Sequence, residues 1–171
     1  MAELIIPGPA GRIEARYTAA PVDSAPIALI LHPHPRAGGT MQDPVTITLF
    51  RLFEQRGFSV LRFNYRGVGR SQGPVEQGGE LSDAAYVLDY LESLNNGPRQ
   101  VWVAGYSYGA FLCLQLLMRR PEIDGFIAVA PPANHYDLSF LAPCPASGLI
   151  VHGERDVVAP PDDVERAIAK V

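Results

Sequence analysis

Short apolar segments alternate with segments of helical spacing along this chain. Residues 11–18 alternate apolar and polar side chains with period two, which is typical of a half-exposed edge strand. Further strands, most of them continuous apolar runs of the kind covered on both faces, are predicted over 27–31, 58–65, 100–104, 125–130 and 148–152. Helices are predicted over 44–55, 80–95 and 109–118 and from about 161. This order predicts an α/β fold, a mostly parallel doubly wound sheet with helices on both faces, with an antiparallel pair at its N-terminal edge.

Composition narrows the class of protein. The 171 residues suit one domain, and 47% hydrophobic with 19% charged residues favours a globular core over disorder. A net charge of −4 gives no indication of binding to nucleic acid or to an anionic membrane surface. The start of the chain lacks a signal peptide pattern, and no apolar run is long enough for a membrane helix, so we expect a cytoplasmic protein. Cys113 and Cys144 are too few for a disulfide framework or a zinc site.

The strongest chemical motif is Gly105-Tyr-Ser107-Tyr-Gly109, a Gly-x-Ser-x-Gly pattern. A predicted strand comes directly before it and a predicted helix directly after it, as a nucleophile elbow requires. The same pattern occurs around Ser71, but Ser71 lies six residues past its strand, and Pro74 follows where a helix should begin. We therefore predict that Ser107 is the nucleophile and Ser71 a polar loop residue. A structural Gly-Ser-Gly turn is the alternative interpretation of Ser107.

A second motif, His-Pro-His-Pro, follows the buried strand 27–31. An elbow serine needs two backbone N–H donors for the oxyanion, one of them from the next residue, here Tyr108. Since Pro33 and Pro35 have no N–H, His34 is our choice for the second donor. The alternative is a metal site on His32 and His34, although no third ligand stands at a recognisable spacing.

A third motif, His152-Gly-Glu-Arg-Asp156, ends the last predicted strand. A carboxylate at such a strand end is where an acid that orients a catalytic imidazole belongs, which makes Asp156 the candidate acid. A turn or helix-capping aspartate is the alternative. We expect His152 to pack or hydrogen-bond within the turn.

Together, and in this order, the motifs resemble those of the α/β-hydrolase superfamily, over essentially the whole chain. More narrowly, the chain is similar to the small bacterial serine hydrolases akin to dienelactone hydrolase. The resemblance implies a nucleophile at Ser107, an acid at Asp156 and oxyanion donors at His34 and Tyr108. It also implies hydrolysis of an ester, thioester or amide without a cofactor.

The sequence departs from this superfamily in its histidines. The triad histidine of the superfamily follows the acid, whereas all four histidines here precede Asp156. We expect residues 1–171 to be a single domain that is incomplete at its C-terminus, without the last helix–strand–helix region, and the triad histidine to lie beyond residue 171. His135 is a weak substitute base within the chain. A catalytically inactive hydrolase fold that serves as a binding or scaffold protein is the alternative function.

The expected substrate is a small molecule with an acyl group. The connection over 131–147 is too short for a helical cap domain, which suggests a shallow, open pocket. Plausible walls of this pocket are Tyr106, Tyr108, Tyr136 and Phe140. Nothing in the pattern decides whether the protein is an oligomer.

Overall fold

The computed structural model describes residues 1–75, 78–97, 99–144, 146–157 and 159–169. Within these residues a single sheet has the strand order β1-β2-β4-β3-β5-β6-β7. The strands are β1 Ala2–Gly8, β2 Gly11–Thr18, β3 Ile27–Leu31, β4 Ser59–Phe63, β5 Val101–Tyr106, β6 Ile123–Val129 and β7 Ser147–Val151. β2 pairs antiparallel with β1 and with β4, and the pairs from β4 to β7 are parallel. The predicted mostly parallel sheet with an antiparallel N-terminal edge is confirmed.

Helices cover both faces of the sheet. They are α1 Pro44–Gln55, α2 Gly79–Ser93, α3 Tyr108–Arg119 and α4 Pro161–Ile168, with short 3-10 turns at Pro35–Ala37 and Ser139–Leu141. Alternate residues of β3 divide between the faces: Leu29 joins the core under α2 and α3, and Ile30 joins the core under α1. The predicted double winding is confirmed.

The start of α1 follows the sequence closely. The Asp43 side chain accepts a hydrogen bond of 3.0 Å from the Thr46 N–H, and Pro44 occupies the first helical position, where a missing N–H costs nothing. This helix has the predicted bounds because both signals are local.

The sequence did not predict β1, and several other elements differ from their predicted bounds by one or two residues. β1 was not predicted as a strand, because its alternation is weak and Pro7 interrupts it; its pairing with β2, from Ala2 opposite Tyr17 to Gly8 opposite Gly11, is what orders it. β4 ends at Phe63 instead of residue 65, because the Asn64 side chain turns into a hydrogen-bonded loop.

The loop after β4 ties three parts of the fold together. Asn64 accepts a 2.8 Å hydrogen bond from the Met41 N–H and donates one of 2.8 Å to Glu14 on β2. Glu14 also accepts from the Arg70 N–H at 3.0 Å. Burial alone would raise the pKa of Glu14, but these hydrogen bonds outweigh it and the pKa is lowered. The loop is thereby fixed to β2 on one side and to the segment before α1 on the other.

Arg66 fixes the same loop to α2. Its guanidinium lies 2.8 Å from Asp83 Oδ1 and 3.2 Å from Oδ2, and its backbone N–H donates to Oδ2 at 2.9 Å. Asp83 is fully buried and Arg66 is 8% exposed. A buried ion pair of this kind is costly to break, because the remaining charge stays in a poorly solvated site.

Replacing Asp83 by Asn removes the charge opposite the buried guanidinium and should lower the free energy of unfolding by about 3 kcal/mol. Urea unfolding of the wild type and variant measures the difference. Asp89→Asn is the matched control, because Asp89 lies on the same helix with an exposed side chain paired to Arg120; its expected loss is under about 1 kcal/mol. Equal losses in both variants would contradict the importance of the buried pair.

Candidate active site

Ser107 stands at a sharp turn between β5 and α3. Its backbone has φ 55° and ψ −118°, a conformation that is strained for any residue with a side chain. A Cβ on Gly105 would lie 2.8 Å from the Ala110 nitrogen, and a Cβ on Gly109 would overlap the Leu31 carbonyl. Glycine is therefore required two residues either side of Ser107, and the Gly-x-Ser-x-Gly pattern has here the geometry of a nucleophile elbow.

Hydrogen bonds hold the strained turn against the sheet. The Ser107 N–H donates to the Val129 carbonyl at the end of β6 at 2.8 Å, and the Ser107 carbonyl accepts from the Ala110 N–H at 2.9 Å. Ala130, the residue that follows β6, also has a positive φ of 50°, and its N–H donates to the Val151 carbonyl on β7 at 2.7 Å. Three neighbouring strand ends thus fix the position of the serine.

Ser107 and Asp156 line one cavity of about 310 Å³. Its other lining residues are Pro33, Ala37, Gly38, Gly39, Asp43, Tyr106, Ala130 and Ala159. Asp156 Oδ1 accepts a hydrogen bond of 2.9 Å from the Ala159 N–H, so the carboxylate also closes the turn that precedes α4. The capping position of α4 itself is Pro160. The fold brings the predicted nucleophile and the predicted acid to the same cavity.

The two predicted oxyanion donors are neighbours. Tyr108 is the first residue of α3, where a backbone N–H has no partner within the helix. His34 precedes the 3-10 turn, its ring lies 4.5 Å from the Tyr108 ring between centroids, and its Nδ1 accepts a 3.0 Å hydrogen bond from the Arg36 N–H. Among the described residues neither backbone N–H has an acceptor, so both remain available to a ligand.

His32 lies in the core beneath this loop. Its Nδ1 lies 2.7 Å from the Pro33 carbonyl and so carries the proton, and its Nε2 accepts from the Tyr65 N–H at 3.2 Å. Burial, partly offset by the bond to Pro33, lowers the pKa of His32 to about 3. Because both ring nitrogens are engaged in the fold, the alternative of a metal held by His32 and His34 loses its first ligand. No group of three or more metal-ligating side chains forms within the described part of the chain.

The remaining histidines lie outside the Ser107 cavity. His152 Nε2 is hydrogen-bonded to the Ala159 carbonyl, as expected for a residue of the turn. His135 is exposed, and its backbone N–H donates to the Pro132 carbonyl at 3.0 Å. Neither imidazole lines the cavity that Ser107 and Asp156 share.

Ser71, the serine of the second Gly-x-Ser-x-Gly pattern, is 6% exposed. Its hydroxyl donates to the Asn64 carbonyl at 2.7 Å and accepts from the Glu14 N–H at 2.9 Å. The hydroxyl is occupied in holding the loop after β4 to β2, which agrees with the prediction of a loop residue.

A second, larger cavity has a volume of about 540 Å³. Tyr108 and Tyr136 are among its walls, Tyr106 lines the smaller cavity, and Phe140 packs against Phe111 with ring centroids 6.4 Å apart. The predicted aromatic walls are thus divided between two cavities and the core.

Glu80, which also lines the larger cavity, was missed by the sequence analysis. It is only 2% exposed, in the first turn of α2. A signal was present, because Glu80 stands four and seven residues before the buried Ala84 and Val87, on the apolar face of the helix.

Comparison with known proteins defines the class. The alpha/beta hydrolase fold family matches residues 34–147. The chain therefore belongs to the α/β-hydrolase fold family, and the resemblance inferred from the motifs is confirmed at this level. Among the described residues, no helix is long and apolar enough to cross a bilayer.

Three individual proteins illustrate how similar this chain is to known proteins. A protein of unknown function from Agrobacterium tumefaciens is 56% identical with a TM-score of 0.96, covering 99% of this chain and 78% of that one. An α/β serine hydrolase homologue from Coxiella burnetii is 32% identical with a TM-score of 0.91, over 99% of this chain and 82% of its own. The lysophosphatidylserine lipase ABHD12 of Xenopus tropicalis is 27% identical over 80% of this chain, which spans only 44% of the lipase.

The buried His32 predicts a dependence of stability on pH. The unfolded imidazole gains its proton below about pH 6.5, whereas folded His32 stays neutral until about pH 3, so acidification favours the unfolded chain throughout this range. From pH 7 to pH 5 this histidine should cost about 2 kcal/mol of unfolding free energy. Urea unfolding at both pH values should show that loss diminished in His32→Asn and retained in His135→Gln, whose histidine is exposed. An unchanged pH dependence in His32→Asn would refute the assignment.

Proposed function

We propose that this protein is a serine hydrolase that cleaves carboxylic esters through an acyl-enzyme on Ser107. The observation that carries the proposal is the strained Ser107 backbone between two obligatory glycines, with Asp156 lining the same cavity. Strain of this kind persists only where the surrounding structure enforces it, and it clusters at functional sites. The serine hydrolase homologue and the lipase among the relatives support the same reaction class.

The proposed reaction begins with attack of Ser107 Oγ on the ester carbonyl carbon. The hydroxyl proton passes to a base, and the carbonyl oxygen becomes an oxyanion that the N–H groups of His34 and Tyr108 would bind. Collapse of the tetrahedral intermediate returns the proton to the departing alcohol. Water, activated by the same base, then releases the acid and restores the serine hydroxyl.

None of the four histidines of the chain is positioned to act as the base in this mechanism. His32 and His152 hold hydrogen bonds within the fold, and His34 contributes its backbone. We propose that an imidazole from outside these 171 residues acts in the cavity between Ser107 and Asp156, with Asp156 orienting it. His135 is the weaker candidate, because it is exposed and does not line that cavity.

The missing base also affects which substrates the chain can cleave, because leaving groups differ in their need for a proton. An amine is a poorer leaving group than an alcohol or a thiol and needs a proton from the base to depart. Esters and thioesters are therefore favoured over amides. The alternative function is a catalytically inactive binding or scaffold protein. The two experiments below distinguish it from the proposed hydrolase.

A fluorophosphonate probe should label Ser107 and not Ser71. The elbow presents the Ser107 hydroxyl near Tyr108 and His34, whose N–H groups have no acceptor among the described residues, whereas the Ser71 hydroxyl is buried and doubly hydrogen-bonded. Intact-mass measurement should show one adduct in the wild type and in Ser71→Ala, and none in Ser107→Ala. Equal labelling of the two variants would remove Ser107 as the nucleophile.

Free imidazole should accelerate ester hydrolysis by the 171-residue chain. The cavity is large enough to admit a small heterocycle between Ser107 and Asp156, where imidazole would act as the base. With p-nitrophenyl acetate, the rate above that of imidazole in buffer should saturate with imidazole concentration and rise about tenfold or more.

Two variants make the imidazole experiment specific. Ser107→Ala should remove the saturating rate entirely, and Asp156→Asn should weaken the effect of imidazole because the ring loses its anionic partner. If the chain already turns over the ester efficiently without imidazole and His135→Ala is inactive, His135 is the base and the proposed external imidazole is wrong.

A further inference from the structure

Two pairs of consecutive residues are divided between the larger cavity and the proposed catalytic cavity. Pro33 and Ser107 line the smaller cavity, and the residues that follow them, His34 and Tyr108, line the larger one. An ester whose carbonyl lies at Ser107 would therefore extend one substituent past His34 and Tyr108 toward the larger cavity. The charge and the side chains that line the larger cavity determine which substituent it can bind.

The cavity holds a buried acid without a partner. Glu80 is 2% exposed, and its Oε2 is fully enclosed with no hydrogen-bond donor among the described residues. Asp83, one turn further along α2, shows the usual arrangement, with its carboxylate saturated by Arg66. A buried carboxylate oxygen without a donor costs free energy, and a donor that entered the cavity and reached this carboxylate would recover part of that cost.

Aromatic rings face the same space. Tyr108, Phe111 and Tyr136 all line the cavity, with centroids 5.8 Å apart for the two tyrosines and 4.2 Å apart for Phe111 and Tyr136. Burial, and secondly the negative charge of Glu80, raises the pKa of both Tyr108 and Tyr136. The phenols therefore stay neutral at physiological pH, and their ring faces attract cations.

We propose that this cavity, the Glu80 cavity, binds a primary ammonium group on the substrate whose ester carbonyl reacts at Ser107. A carboxylate together with aromatic faces favours an ammonium group over a neutral hydroxyl, because charge strengthens both the hydrogen bond and the attraction to the rings. Arg36 and Arg119 also line the cavity, but both are exposed, where water and salt screen their charges. This substrate class rests on the proposed function, whereas ammonium binding by the cavity does not.

Binding is tested without any hydrolysis. Two-dimensional NMR titration with benzylammonium should shift the backbone amides of the first turn of α2 and of α3. Glu80→Gln should weaken this binding about tenfold or more, since it removes the charge and keeps the shape. Glu92→Gln is the matched control, because Glu92 lies on the same helix, faces Arg120 and does not line the cavity.

An anionic ligand and a second variant serve as controls for the benzylammonium titration. Benzoate, an anion of similar size, should not shift these amides. If Glu80→Gln does not fold, Gln115→Trp, which narrows the same cavity from α3, should abolish benzylammonium binding. Benzylammonium binding that is unchanged in the folded variants, or benzoate binding of equal strength, would overturn the proposal.

Kinetics then test the substrate class. The p-nitrophenyl esters of 4-(aminomethyl)benzoate and 4-ethylbenzoate have nearly the same shape and differ in the ammonium group. With imidazole at a saturating concentration, the wild type should prefer the amine in kcat/KM by about tenfold, and the preference should vanish in Glu80→Gln. Absence of Ser107 labelling would refute the proposed function alone, whereas labelling and hydrolysis without preference for the amine would refute the ammonium subsite alone.

Discussion

The close approach of α3 to the carboxyl end of β3 is the constraint on which the site depends. Gly109 lies so near the Leu31 and His32 carbonyls that a side chain at this position has no space. This contact sets the angle at which the chain leaves β5, and the strained backbone of Ser107 follows from it. Tyr108 follows Ser107 directly, and its ring lies 4.5 Å from the His34 ring between centroids, so the nucleophile and the residues proposed as oxyanion donors are neighbours.

Buried contacts of His32 with Tyr65 hold the loop around Pro33 against the core. The His32 ring stacks on Tyr65 with centroids 3.7 Å apart, and the Tyr65 hydroxyl donates to the His32 carbonyl at 2.6 Å. Tyr65 belongs to the loop after β4, which Asn64 fixes to Glu14 on β2. The antiparallel edge of the sheet therefore contributes to the site through a chain of buried polar contacts, although no residue of β1 or β2 lines the cavity with Ser107.

Two buried acids on α2 have opposite roles. Asp83 is saturated by Arg66 and binds the loop after β4 to the helix. Glu80, less than one turn away, lines a cavity, and its buried Oε2 has no donor in the part of the chain that the structure describes. A fold usually avoids leaving a buried carboxylate unsatisfied, so this contrast within one helix is the reason for proposing Glu80, and not Asp83, as the ligand-binding acid.

The sequence by itself determined the order of elements, the ends of α1 and the choice of Ser107 over Ser71, because apolar periodicity, Asp43 and the flanking glycines act within a few residues. It did not determine β1, which requires β2 as a partner, nor the early end of β4. Only the tertiary structure decided that Ser107 and Asp156 share a cavity, that His32 is a neutral core residue and that Glu80 Oε2 has no donor among the described residues. Each of these depends on residues far apart in the chain, and local patterns carry no information on which of them meet.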